Sequence, residues 1–173
     1  MSVKTTMGDV KSHGSTAGAA LSDQTKYVEL QDIPILYVAV TEGMGGPPDA
    51  FAELEGRLPT LRGRRFYGLY YADQGRYLAC VRKEASDDPK TLGLEELTIS
   101  GGLYARRMLK DWGSRVDEIP RLFGEMVEAE ETDSERPSVE FYRSQTEVHL
   151  LLPVLTRSRS RTERSQAYPW SGT

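Results

Sequence analysis

The sequence contains very little cysteine and histidine, which excludes several kinds of site. Of its 173 residues, one is cysteine and two are histidine. A single cysteine cannot form an internal disulfide or supply a zinc cluster. Cys80 lies in an apolar, strand-like run, so we expect it to be a buried apolar side chain. We expect the chain to hold no metal ion and no cofactor.

The sequence also lacks a long apolar run and a net positive charge. No run approaches the roughly 20 residues of a membrane helix, and the N-terminus shows no apolar signal-peptide region. We therefore expect a cytoplasmic protein with no membrane partner. The net charge is −4 and the pI is about 5.3, which argues against a nucleic-acid partner.

Composition divides the chain into one domain with two tails. Residues 1–25 are rich in serine, threonine, glycine and lysine and carry few large apolar side chains. They predict a disordered arm, since they cannot offset the entropy of ordering. Residues 156–173 predict a basic flexible tail, for which RNA or membrane-surface binding is a further alternative. The ordered domain is expected over residues 26–155.

The ordered region repeats one pattern of elements. Residues 36–40 and residues 103–107 are strand-like runs that both begin with Leu-Tyr. Each run is followed by a predicted helix and two further strands, which places the repeats at about 26–84 and 94–155. The helix stripes are Phe51, Leu54 and Leu58 in the first copy and Ile119, Leu122 and Met126 in the second, and a proline is expected in the first turn of each helix, at Pro47 or Pro48 and at Pro120. Residues 73–75 predict a hairpin turn, Pro34 is expected to interrupt the first strand region, and residues 87–89 are expected to form a loop. We predict an α+β fold in which two β-α-β-β repeats form a concave antiparallel sheet with the helices on one face. The seam between the copies is the expected ligand groove.

Strand alternation assigns side chains to the two faces of this sheet. Apolar residues at alternate positions are assigned to the helix-packed face, including Val139, Phe141, Val148 and Leu150. The remaining positions give the opposite face an unusual number of aromatic side chains, which predicts a cleft there. The predicted ligand-binding residues are Tyr37, Tyr70, Tyr104, Met108, Trp112, Glu140, Tyr142, Glu147 and His149.

Glu140 is the acidic residue that the predicted cleft surrounds with rings. Burying a carboxylate is costly, and a bound cation relieves that cost. Aromatic faces attract cations as well, so the pattern favours a flat, lipophilic and cationic small molecule. A simpler interpretation is that Glu140 pairs with Arg106 or Arg143 at the surface. The strand tyrosines would then be ordinary β-formers with solvated hydroxyl groups.

Two segments near the C-terminal end resemble a known family. Residues 136–142 (RPSVEFY) contain an E-x-Y strand, and residues 146–154 (TEVHLLLPV) contain a T-E pair followed by Pro153 and Val154. They resemble the end of the gyrase-inhibitor-like small-molecule-binding family, which is related to the effector-binding domains of multidrug-responsive transcription activators. The resemblance extends over about residues 27–154. It implies a concave sheet of two β-α-β-β units, with Glu140 contacting hydrophobic cations and Glu147 at a second acidic position.

The resemblance leaves three functions open. The first is a stand-alone protein that binds small lipophilic, cationic, aromatic molecules. The second is a hydrolase of strained, cyclopropane-type toxins, with Glu140, Tyr142 and Trp112 as candidate catalytic residues. The third is a module that binds a protein partner, as gyrase inhibitors do. The sequence shows no helix-turn-helix region, so a regulatory role would need a partner.

Overall fold

The computed structural model describes residues 24–155, which form one sheet with helices packed against it. The strands are β1 (Lys26–Leu30), β2 (Ile33–Ala39), β3 (Phe66–Tyr71), β4 (Arg76–Arg82), β5 (Glu95–Ile99), β6 (Gly102–Lys110), β7 (Ser138–Tyr142) and β8 (Glu147–Pro153). The helices are α1 (Pro47–Arg57), α2 (Pro89–Leu92) and α3 (Glu118–Ala129), with a 3-10 turn at Trp112–Ser114. The predicted tail and all but the end of the predicted arm lie outside the described residues.

The eight strands form a single curled sheet in which every pair of neighbours is antiparallel. Their order is β1-β6-β8-β7-β3-β4-β2-β5, so β3 and β7 are adjacent near the middle. The predicted α+β class with a concave antiparallel sheet is therefore confirmed. Along the chain, β2, α1, β3 and β4 follow one another, as do β6, α3, β7 and β8. That these are two copies of one unit stays a prediction.

Helix α1 forms where two prolines supply the first turn. Proline is tolerated there because its missing N–H would have no partner inside the helix. Asp49 is acidic and lies in this first turn, where it complements the helix dipole. Ala50 and Leu54 are fully buried against Leu36 and Val81 of the sheet.

Helix α3 lies against the other half of the sheet. It begins at Glu118, and Pro120 lies in its first turn, as predicted. Ile119, Leu122 and Met126 are buried in one cluster with side chains from β6 and β8. None of the helices within residues 24–155 has the length and apolar character needed to cross a membrane.

The strand register places α1 and α3 on the same face of the sheet. Two rows of side chains cross the sheet on that face, and each row begins under α1 and ends near α3. The first row is Leu36, Val81, Phe66, Tyr142, Val148 and Leu109. The second row is Val38, Ala79, Gly68, Glu140, Leu150 and Arg107. The middle of both rows lies on β3 and β7, between the helices.

The opposite face of the sheet is also buried, although no helix covers it. Its core cluster draws on seven strands and includes Ile35, Leu69, Cys80, Tyr104 and Leu151, each at most 4% exposed. Only strand residues belong to this cluster, so the curl of the sheet itself encloses it. Burial raises the pKa of the Cys80 thiol, in keeping with the expected buried apolar role.

Close contacts between two connections support the curl. The N–H of Gly101 donates to Oδ1 of Asp32 at 2.7 Å. A Cβ on Gly101 would lie 2.6 Å from the carbonyl oxygen of Leu30, so only glycine permits this approach. The connection from β5 to β6 therefore packs directly against the connection from β1 to β2.

The structure differs from the predicted elements at two places. Pro34, expected to interrupt a strand, lies inside β2, where its carbonyl accepts a hydrogen bond from the N–H of Lys83 at 2.9 Å. Residues 87–89, expected to be a loop, lead into α2, because Asp88 caps its start and Gly93 ends it in the left-handed conformation.

Candidate functional site

The candidate site lies on the two central strands, in the gap between α1 and α3. Gly68 of β3 and Glu140 of β7 are directly opposite each other in the sheet register. Glu140 is half-buried, and its carboxylate is largely surrounded by protein. Because α1 covers β2 and β4 while α3 covers β6 and β8, these central strands are flanked by the helices on each side.

Two tyrosine hydroxyl groups hold the Glu140 carboxylate. Tyr77 donates to Oε2 at 2.7 Å, and Tyr142 donates to the same oxygen at 2.6 Å. Tyr77 comes from β4 and Tyr142 from β7, so two strands fix one oxygen. Within residues 24–155, Glu140 forms no salt bridge with a basic side chain.

Four aromatic rings surround these hydrogen bonds. The ring centroids of Trp112 and Tyr142 are 4.9 Å apart, and those of Phe51 and Tyr142 are 5.5 Å apart. Phe51 also meets Tyr77 at 6.4 Å, and all three contacts are edge-to-face, a favourable geometry for rings. The Trp112 ring is anchored because its Nε1–H donates to the carbonyl of Ser144 at 3.1 Å. We call Phe51, Tyr77, Trp112, Glu140 and Tyr142 the Glu140 cluster.

Gly68 makes room for the cluster. A Cβ at this position would lie 2.0 Å from the hydroxyl oxygen of Tyr77 and 2.6 Å from Oε2 of Glu140. Any other residue would therefore displace the hydrogen bond between Tyr77 and Glu140. A glycine inside a strand often marks such a close approach, and here the approaching atoms belong to the site.

The surroundings of Glu140 favour its protonated form. Burial raises the pKa of Glu140, and this effect outweighs the hydrogen bonds from Tyr142 and Tyr77, which lower it. Burial and the adjacent Glu140 charge also raise the pKa values of Tyr77 and Tyr142 far above the usual range of a phenol. Both tyrosines therefore remain hydrogen-bond donors at physiological pH.

The prediction that the candidate residues share a helix-free face is wrong. Tyr70, Glu140 and Tyr142 lie on the helix-packed face, while Val139 and Phe141, predicted to face the helices, belong to the opposite side. The alternation was correct, but its assignment to faces was reversed for β3 and β7. Both faces of the sheet are buried, so an apolar side chain on these strands does not indicate the helix side.

The other predicted residues lie on the helix-free face. Tyr37, Met108 and His149 share one row across that face, and Glu147 and Tyr104 lie on the same side. Tyr37 and His149 each pair with an acidic side chain. Tyr37 donates to Glu95, and His149 Nε2 lies 2.6 Å from Oε1 of Glu147. The hydrogen bond with His149 lowers the pKa of Glu147.

Tyr104 has a structural environment. It is fully buried, and its hydroxyl donates to the carbonyl of Ser100 at 2.6 Å. The guanidinium of Arg136 lies 4.7 Å from its ring centroid. Arg136 also donates to the carbonyls of Leu103 and Val154, at 3.2 and 3.1 Å. These hydrogen bonds attach the linker before β7 to the start of β6 and the end of β8.

The interpretation that Glu140 pairs with Arg106 or Arg143 is also wrong. Arg106 lies on the helix-free face, and Arg143 pairs with Glu147 at 3.4 Å. Tyr70 lies on the same face of the sheet as Glu140 but is 44% exposed. Among residues 24–155, no group of three or more His, Cys, Asp or Glu side chains is arranged to hold a metal ion.

Tyr77 and Phe51 are not among the site residues predicted from the sequence. The signal for Tyr77 was present, because the hairpin turn at residues 73–75 pairs Tyr70 with Tyr77 and puts both on the face of Gly68. Phe51 was assigned to the helix stripe with Leu54. Its half-buried ring instead faces Tyr77 and Tyr142.

Comparison with solved structures shows a shared fold. The integron cassette protein VCH_CASS2 from the mobile metagenome of Vibrio cholerae has a TM-score of 0.56 at 16% identity, over 76% of this chain and 95% of that one. An uncharacterized conserved protein from Listeria innocua has a TM-score of 0.51 at 12% identity, over 79% of this chain and 94% of that one. SAV2435 bound to tetraphenylphosphonium has a TM-score of 0.49 at 11% identity, over 80% of this chain and 98% of that one. No protein-family model and no curated protein matches the sequence.

Proposed function

We propose that this chain is a small-molecule-binding protein that captures lipophilic, aromatic cations at the Glu140 cluster. In this proposal residues 26–155 are one ligand-binding domain of the effector-binding type, built from two β-α-β-β units with the site at their seam. The observation that carries it is a carboxylate held by two neutral hydroxyl groups, enclosed by four rings and unpaired with any basic side chain of residues 24–155.

The charge of the site supports a cationic ligand. Phenol donors stabilise a carboxylate by hydrogen bonding but leave its negative charge uncompensated. A buried charge without a counter-charge is costly. A cation next to Glu140 would remove that cost, whereas a neutral ligand of the same shape would not.

The rings of the cluster support a lipophilic and aromatic ligand. Phe51 and Trp112 each contact Tyr142 edge-to-face, so the three rings can present both faces and edges to a ligand. Each ring face next to a cation contributes about 0.5–2 kcal/mol, depending on how well water is excluded. Tyr70, exposed at the end of β3, extends the aromatic surface on this side of the sheet.

The site residues proposed from the sequence separate into two groups. Glu140, Tyr142, Trp112 and Tyr70 belong to the proposed site. Tyr37, Tyr104, Met108, Glu147 and His149 lie on the other face of the sheet, so any ligand role for them would require a second site.

Two triphenyl compounds of similar size test this proposal. Methyltriphenylphosphonium carries one positive charge, and triphenylphosphine oxide is neutral. We expect the cation to bind with a Kd at least tenfold lower than the oxide, as measured by isothermal titration calorimetry. Glu140→Gln should remove most of this preference, because it keeps the hydrogen-bond acceptor and removes the charge.

An exposed acidic residue provides the matched control for that experiment. Glu128 lies on the solvent side of α3, and Glu128→Gln changes the net charge equally without altering the cluster. Binding should survive in this control. Equal affinity of wild type for both compounds, or no binding of either, would refute the proposed function.

The raised pKa of Glu140 favours one alternative function, the hydrolysis of strained electrophiles. A carboxyl group with a raised pKa keeps its proton to higher pH and can pass it to a substrate, and Tyr142 donates to this group directly. Glu140 would act as the general acid/base and Tyr142 as the proton donor, next to Trp112. Turnover of a cyclopropane-bearing substrate by wild type, lost in Glu140→Gln, would favour this alternative. An absence of turnover from pH 4 to pH 9 would exclude it.

A further inference from the structure

The two oxygens of the Glu140 carboxylate are used differently. Both phenol hydroxyl groups donate to Oε2. Within residues 24–155, Oε1 accepts no hydrogen bond. Oε1 is therefore the oxygen left for a proton or for a cation, and the two cannot occupy it together.

We propose that cation binding at the Glu140 cluster is an exchange reaction, in which each monocation displaces one proton from Glu140. The proposal rests on the proposed function. The carboxylic acid loses its O–H proton to solvent, and the resulting carboxylate pairs with the bound cation. In the pH range where Glu140 is protonated, the site is therefore electrically neutral before and after binding, which avoids a buried, unpaired charge in either state.

Among residues 24–155, no other group around Glu140 can exchange the proton. On β4 and β7 the neighbouring titratable groups are the phenols of Tyr77 and Tyr142, whose pKa values burial raises. On β3 the neighbour is Gly68, and on β8 it is Leu150. Phe51 of α1 and Trp112 of the 3-10 turn complete the wall without a charge.

Several charged side chains on the surrounding elements have partners of their own. Arg107, which follows Leu150 along the same row, pairs with Glu125 of α3 at 2.7 Å. The other pairs on α1 and after the 3-10 turn are Asp49 with the N–H of Gly45, Glu53 with Arg57, and Arg115 with Glu118. None of these partners is Glu140, so the proton on Glu140 is the one that a ligand cation replaces.

Calorimetry measures the exchange directly. Methyltriphenylphosphonium is titrated into the full chain from pH 4.5 to pH 8, at each pH in two buffers that differ in enthalpy of ionisation. The difference in apparent binding enthalpy gives the number of protons released. We expect about one proton per cation at the acidic end and none at the alkaline end. In the acidic range the Kd should fall about tenfold for each unit of pH.

Tyr77→Phe separates a positioning role from a structural one. Removing one donor to Oε2 raises the pKa of Glu140 further, so the pH range of proton release should move upward while the cation still binds. Glu128→Gln should leave the profile where it is. Binding with the same Kd at every pH and no proton release would overturn the exchange but not the proposed function. A complete absence of cation binding would overturn both.

Discussion

Two carboxylates of this protein meet the cost of burial in different ways. Asp87 has a side chain only 5% exposed and faces Arg64, which is 3% exposed, through N–O distances of 2.9 and 3.2 Å. Glu140 is enclosed by rings and, within the described part of the chain, accepts hydrogen bonds from two phenols only. One carboxylate thus has a full counter-charge from the protein, and the other has none among residues 24–155.

The pKa values of the two groups respond in opposite directions. Burial alone would raise the pKa of Asp87, but the hydrogen bonds and charge of Arg64 lower it below its usual range. Burial raises the pKa of Glu140, and the two phenols do not reverse this. Asp87 therefore belongs to a structural ion pair with Arg64. The charge of Glu140 stays uncompensated until the carboxylate gains a proton or a cation, and such a carboxylate is typical of a functional site.

The largest expected loss of stability comes from breaking the ion pair between Arg64 and Asp87. Asp87→Asn leaves the Arg64 guanidinium buried with only Glu84, itself 50% exposed, at 3.0 Å. We expect the free energy of unfolding at pH 7 to fall by about 3 kcal/mol, since an uncompensated buried charge is strongly destabilising. Urea denaturation followed by circular dichroism measures it.

Asp117→Asn is the matched control for this substitution. Asp117 is exposed, and its side chain makes no capping hydrogen bond, so the change should stay within about 0.5 kcal/mol. If the Asp87 and Asp117 variants were equally stable, Arg64 and Asp87 would not form the structural pair described.

The second largest loss of stability is expected at Gly68, which lies directly against the Glu140 cluster. Gly68→Ala adds a Cβ where the Tyr77 hydroxyl lies, at 2.0 Å, so the ring must move and its hydrogen bond to Glu140 is lost. We expect a loss of about 2 kcal/mol in urea denaturation, typical of overpacking. Gly56→Ala is the control, since a Cβ on Gly56 meets nothing within 4 Å. It should stabilise α1 by about 0.5–1 kcal/mol. A Gly68→Ala variant as stable as wild type would contradict the close approach.

Much of this fold follows from local pattern. The helix stripe of Ile119, Leu122 and Met126, the proline in each first turn and the hairpin at residues 73–75 led to elements that the structure contains. These signals are readable because helix periodicity, proline tolerance and turn chemistry depend on neighbours in the sequence.

Which side chains of the central strands β3 and β7 point toward the helices did not follow from local pattern. In β7, Val139 and Phe141 are more apolar than Glu140 and Tyr142, so alternation assigns the first pair to the helices. The sheet instead curls around Val139 and leaves Glu140 between α1 and α3. Which face of a doubly buried sheet the helices cover is decided by long-range packing, and no single strand records it.

Glu140 could be predicted as the central residue of the site, but most of its surroundings could not. A carboxylate followed two positions later by a tyrosine puts both on one side of a strand, and the structure joins Glu140 and Tyr142 by a hydrogen bond. Tyr77 reaches the same oxygen from a strand 63 residues earlier in sequence. The close approach at Gly68 depends on the pairing of β3 with β4 and β7, which the sequence does not record.

The smallest effect distinguishes the two carboxylates by pH. Because the pKa of Glu140 is raised by folding, its contribution to stability is fully present below the unfolded value of about 4.3 and is lost as pH rises through the folded value. Asp87 has a lowered pKa, so its contribution is present above about 3.9 and is lost as pH falls. Glu140→Gln should therefore remain folded at pH 7 and gain about 1 kcal/mol over wild type. The gain should vanish at pH 4, as measured by urea denaturation at both values. A loss of stability at pH 7 like that of Asp87→Asn would mean that Glu140 has a counter-charge after all.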